Sequence, residues 1–272
     1  MNARKSIQLA VKYVQLSFKI AFQYKLDRFL ILFAIIIREA SNVLVIIFLM
    51  QRFVEIRGWN MNDILFLYSF LFISYSVFVL LFTGIRDFED LVYSGELDQY
   101  FLRPQGVFYQ ALVSKIDIPA ALGYGVLGVF LFINTSRGVN ITWTASNVVY
   151  YAISIISGTI IQLSIFLISA ALSFWTIKVT NIRNLVFFSL RKCAAYPLSF
   201  FTPLIRSTLI YVVPFAFINY FPALYFLDKD ESNLYSSVYF YISPMVCVVL
   251  FLMALIFWNK SRKRYAGAGN QQ

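Results

Sequence analysis

The chain has 272 residues, 60% of them hydrophobic and 13% charged, and a net charge of +10. A soluble domain carries about 25% charged residues, so long apolar runs in a charge-poor chain exclude a water-soluble globule, and 29 Phe with 18 Tyr exclude disorder. The positive balance is then read as basic residues meeting anionic lipid, not nucleic acid. With no histidine and only Cys193 and Cys247, a histidine base, a disulfide framework and the usual His/Cys metal sites are excluded. No metal, cofactor or catalytic residue is expected on the chain itself.

Residues 1–28 come first. Ile7, Ala10, Val11, Val14, Phe18, Ala21 and Phe22 share one helical face, and Lys5, Gln8, Lys12, Gln15 and Lys19 share the other. That pattern predicts an amphipathic helix lying in the membrane interface, not a cleavable leader. Spans are predicted over 29–50, 63–83, 107–133, 147–175, 200–218 and 239–258. Arg38 and Glu39 fall near the middle of the first, where charge is costly. Adjacent on a helix, they are expected to point about 100° apart, so that one reaches a partner helix, an interface or a transport path.

Between the second and third spans lies the polar stretch 84–106, and the third carries Lys115 and Asp117 in its first half. Gly123, Gly125 and Gly128 permit close helix approach there. Past Lys178, Arg183, Arg191 and Lys192, four prolines (197, 203, 214 and 222) interrupt the fifth segment. A span over 200–218 followed by a broken piece over 219–238 that dips back into the outer leaflet is expected. The sixth span leads to a basic tail, 259–272.

Six spans place both termini on one side. Of the 23 Lys and Arg residues, 18 fall on that side, against Arg52, Arg57, Arg137 and Lys229 opposite and Arg38 within the membrane. The bias predicts that the termini face the cytoplasm. The 84–106 stretch is then cytoplasmic, with Asp87, Glu89, Asp90, Glu96 and Asp98 interleaved with Phe88, Leu91, Val92, Leu97 and Phe101. Apolar anchors among charges suit docking on a soluble partner, and a solvated loop is the plainer alternative.

Gly95-Glu-Leu97-Asp98-Gln-Tyr100-Phe-Leu102-Arg103-Pro104 resembles the motif after the second span in one family of six-span type-2 ABC transporter permeases. Tyr196-Pro197, Arg206 and Val213-Pro214-Phe-Ala216-Phe-Ile-Asn219-Tyr220-Phe-Pro222-Ala223 are similar to that family's fifth-span pattern. The resemblance covers nearly the whole chain. It departs at the tail, where Tyr265-Ala-Gly267-Ala-Gly269 stands in place of Tyr-x-Ser-x-Gly.

The resemblance implies an all-α membrane permease of an exporter in the bacterial inner (plasma) membrane. It would act as a dimer with a second copy or a sister permease, on two copies of an ABC ATPase subunit that bind ATP and Mg. It implies an ATPase-docking coupling helix within 84–106, carried by Arg86, Phe88, Glu89, Leu91, Glu96, Leu97, Asp98 and Arg103. It also implies an outer re-entrant gate with Pro214, Asn219, Tyr220 and Pro222. The chain has no Gly-x-x-x-x-Gly-Lys-Ser/Thr loop of its own. A secondary transporter would need paired broken repeats, and a membrane transferase would need clustered acid at a span end. Asp87, Glu89 and Asp90 are the only such cluster.

Overall fold

The computed structural model describes residues 25–53, 55–139, 141–175, 183–227, 229 and 235–264. The expected interfacial helix over 1–28 lies outside these but for its last four residues, as do residues 265–272 of the tail. Among the described residues the elements are helical. Five helices are long and apolar enough to cross a membrane, and a pair bent by 71° brings the number to six if it is taken as one span.

The first helix, α1 (Lys25–Arg52), buries Glu39, Val43, Ile46 and Met50. Those positions are spaced by four, three and four, a single stripe along the helix. The remaining surface, including Phe29, Phe33, Ile37, Phe48 and Leu49, is exposed. The chain then reverses at Arg57-Gly58, both at positive φ, closed by mutual Ile56–Trp59 backbone hydrogen bonds of 3.0 Å.

Asn60 begins α2 (Met61–Arg86) with a reciprocal capping box. Its side chain accepts from Asp63 N and its own N–H donates to the Asp63 carboxylate, each at 3.0 Å. This helix is the centre of the bundle. After it come three short helices, α3 (Phe88–Tyr93), α4 (Leu97–Leu102) and α5 (Val107–Val113), then α6 (Ile118–Gly138) and α7 (Ala145–Leu172). Both α6 and α7 pack on α2, with α1 against α6. At Gly128 an added Cβ would lie 2.8 Å from Ile73 Cγ1, and at Gly84 one would lie 2.0 Å from Ala111 O. Hydrogen in place of a side chain is thus what lets α6 and α5 lie against α2.

The predicted third span, 107–133, is in fact two helices. Asp117 caps α6 by accepting from Ala120 N at 3.1 Å, and Pro119 occupies its first turn. An Asx cap followed by proline is a helix start, so α5 ends and the chain restarts. Lys115 and Asp117 therefore sit at the break and not inside a span.

The fifth segment differs most from expectation. A π-helical turn, Asn184–Ser189, continues as Leu190–Ala194; together these form α8. Arg183 donates to Arg86 O at one end of the bundle, and beyond α8 the Ser199 carbonyl accepts from Arg57 at the other. The traverse is therefore 183–200, earlier than the predicted 200–218. Next, α9 (Pro203–Ser207, extended by a π turn over Thr208–Val212) bends at Val213-Pro214 into a 3-10 turn, Phe215–Phe217, and α10 (Tyr220–Leu227). Proline has no N–H and pushes the residue before it out of the helical region, and Val213 has φ −126°, ψ 90°.

Ile218 reaches Gly158, midway along α7, where an added Cβ would be 3.1 Å from Ile218 Cγ2. The chain then returns to the Arg57 end, where Lys229 Nζ meets Asp63 at 2.6 Å and Gly58 O at 2.7 Å. The bent pair is thus 203–227, where the break was expected over 219–238. Arg206, which bonds Phe201 O at 3.1 Å, starts at the Arg57 end and not with the inner residues. Last come α11 (Val238–Tyr241) and α12 (Ser243–Arg262), the latter packed on α7.

Candidate functional sites: a charged end and an internal cleft

At the Arg86 end of the bundle, charges converge from three parts of the chain. Arg86 bonds Asp87 at 2.8 Å and Asp117 at 3.1 Å, and Lys115 lies 3.6 Å from Asp87. Glu89 pairs with Arg183 at 3.2 Å. Because Arg183 also donates to the Arg86 carbonyl, the start of α3, the end of α2, the start of α6 and the lead-in to α8 form one connected unit.

Aromatic packing holds α3 against that unit. Phe88 is fully buried, with ring centroids 4.8 Å from Trp258 and 5.4 Å from Phe174. Side-chain burial divides the eight expected docking residues. Phe88, Glu89, Leu91 and Leu97 face the chain's own core. Arg86 is held by its two carboxylates. Glu96, Asp98 and Arg103 are exposed, together with Tyr93, Phe101 and Leu102. The expectation that the apolar anchors point outward therefore fails for Phe88, Leu91, Val92 and Leu97 and holds for Phe101. A short helix on a bundle must bury one face, and here the spacing of apolar residues reports that inner face.

The second site is a cleft of about 440 Å³ between α1, α2, α6 and α8, lined by Arg38, Glu39, Tyr68, Tyr124, Arg191 and Tyr196 among others. Arg38 and Glu39 do not diverge as expected. Arg38 Nε bonds Glu39 at 3.0 Å, and both side chains meet the Tyr124 hydroxyl, at 2.6 and 3.1 Å. Their length lets them fold back on one another, so a 100° separation at Cα does not part their tips. Asn42 Nδ2 adds a bond to Glu39 at 3.3 Å.

Arg191, which reads as a loop residue in the sequence, is instead buried in α8. Its guanidinium lies 4.3 Å from the Tyr75 ring centroid and 5.2 Å from that of Tyr124. The signal that could have found it is Phe187, Leu190, Arg191 and Ala194 at three- and four-residue spacing.

Among the expected gate residues, Pro214 makes the bend, and Pro222 lies buried in the first turn of α10 where no N–H is needed. Asn219 is fully buried and donates to Ala194 O at 2.7 Å, which closes the C-terminal end of α8. Tyr220 stacks on Trp59 at 5.8 Å.

Long apolar helices around a charged cleft, with a pair bent by 71° leaving one end, define a multi-pass membrane protein. The family model described as ABC-2 family transporter protein matches residues 36–269. The chain belongs to that family and is an ABC transporter permease, a transport subunit and not an enzyme. No curated protein and no solved structure matches it.

Proposed function

We propose that this permease is the membrane half of an exporter in the bacterial inner membrane, that it works as a dimer, and that two separate ATPase subunits drive it through the 84–106 segment. The observation that carries the coupling is the anchoring of that segment. Its inner face is fixed by Phe88 and by Glu89–Arg183, while Glu96, Asp98, Phe101, Leu102 and Arg103 are exposed at the end of the bundle. Exposed apolar residues rimmed by both signs of charge suit a protein partner of defined register.

A displacement of α3 and α4 is passed on through Glu89 to Arg183, hence to α8, and Arg191 lies about two turns further along the same helix in the cleft. ATP binding by the partner shifts the permease only by its differential affinity for two arrangements of this unit. Termini on the cytoplasmic side follow from the Lys and Arg bias, which survives moving Arg191 and Arg206 out of the inner set.

The test has two parts. In a background with Cys193 and Cys247 replaced by serine, a cysteine at Glu96 should react with a membrane-impermeant maleimide in inverted vesicles and be protected in intact cells. The double change Asp98→Arg and Leu102→Glu should abolish co-purification of an ATPase with the tagged chain. Labelling from the outside, or a chain that transports without any nucleotide-binding partner, ends this reading.

A further inference from the structure

Arg191 is the charge with the fewest partners for its burial among the described residues. It is 7% exposed, and its Nε and Nη2 have no hydrogen-bond partner among the described residues. No ion pair of Arg191 occurs among those residues either; the rings of Tyr75 and Tyr124 are its neighbours. A buried guanidinium held only by ring faces leaves strong donors unused, which is costly unless something else accepts from them. Nε and Nη2 form one edge of the guanidinium, the edge that an oxyanion engages with two parallel hydrogen bonds.

Arg191 is one of the residues that line the cleft. Arg38 and Glu39 neutralise each other there, whereas Arg191 and the exposed Lys192 put two positive charges on its wall that have no ion pair among the described residues. Tyr68, Phe72, Tyr124 and Phe188 line the rest, an apolar and aromatic surface. A volume of about 440 Å³ falls within the roughly 300–1,000 Å³ of small-molecule sites.

We infer that the cleft binds an amphipathic oxyanion, a carboxylate or phosphate carried on an apolar body. Arg191 engages the anion edge-on, Lys192 adds charge at the rim, and the aromatic wall holds the body. This deepens the permease reading by giving the chemical class of its cargo or of a resident lipid, and it rests on that reading only for the word cargo. Binding itself requires no ATPase.

The experiment uses the full chain in phosphatidylcholine nanodiscs, with empty discs subtracted. Spin-labelled phosphatidic acid, read by the immobilised fraction of its spectrum, probes a lipid source. Pyrenebutyrate added from water, read by fluorescence anisotropy, probes a soluble source, and its methyl ester is the neutral control. At least one anion should bind. Arg191→Gln should weaken that binding about tenfold or more, Arg191→Lys less, and the ester should not change.

Because Arg191→Gln disturbs a buried position, Lys192→Glu, at an exposed one, provides the second reading and should also weaken the anion at least tenfold. Binding of the phosphatidic acid alone assigns the site to lipid, and binding of pyrenebutyrate alone assigns it to a soluble acid. Failure of both anions, equal affinity for acid and ester, or wild-type affinity in both variants overturns the site. Anion binding retained in a chain that recruits no ATPase would leave the site standing and remove the transport reading instead.

Discussion

Replacing Arg183 alone should harm the protein more than replacing Arg183 together with Glu89. The Glu89 carboxylate is 3.2 Å from Arg183 Nη1, with side-chain exposures of 7% and 18%. Arg183→Gln leaves that carboxylate in a site with little access to water. Breaking a buried pair from one side costs about 3–5 kcal/mol. The partial exposure of Arg183 lets some water reach the vacated position and puts the expected loss near the lower bound, ~3 kcal/mol, or roughly 150-fold in the unfolding equilibrium. The lost bond to Arg86 O adds ~0.5–1 kcal/mol.

In the double change Arg183→Gln with Glu89→Gln, two neutral amides replace the charged pair, and about 2 kcal/mol should return. Titration with SDS in mixed micelles, followed by tryptophan fluorescence, compares wild type, the two single variants and the double. Nucleotide-stimulated exchange of a spin label on α8 reports coupling in the same four proteins. Equal destabilisation by Arg183→Gln and by the double change would show that the ion pair is not what ties α3 to α8.

Three other outcomes are expected. Phe88→Ala should destabilise by about 3–5 kcal/mol in the same titration, since it empties a fully buried ring site beside Trp258 and Phe174. Leu102→Ala, at 86% exposure, should stay within ~0.5 kcal/mol of wild type yet reduce ATPase recovery on co-purification. Gly128→Leu should lower the thermal midpoint in detergent by forcing α6 from α2 at Ile73, a cost of about 1–3 kcal/mol, because even the first added carbon would lie 3.0 Å from the Ile73 backbone nitrogen.

Membrane residence and helical architecture were legible in the sequence. They depend on a property summed over many residues, apolar length against bilayer thickness. The glycines of α6 were also readable, because hydrogen at closely packed positions is a local property.

Local signals were present but overruled by hydropathy elsewhere. Asp117 and Pro119 spell a helix start inside an otherwise apolar run, and the traverse 183–200 was hidden by Arg183, Arg191 and Lys192, whose charge reads as a loop. Only tertiary structure decided where those charges are tolerated. Arg191 can lie in the bundle because Tyr75 and Tyr124 cover its faces. Arg38 and Glu39 converge because Tyr124, 85 residues from Glu39, brings a hydroxyl between them. Phe88 turns inward because Trp258 is there to receive it. Pairings between residues so far apart are fixed by how helices cross, and a one-dimensional pattern does not contain that information.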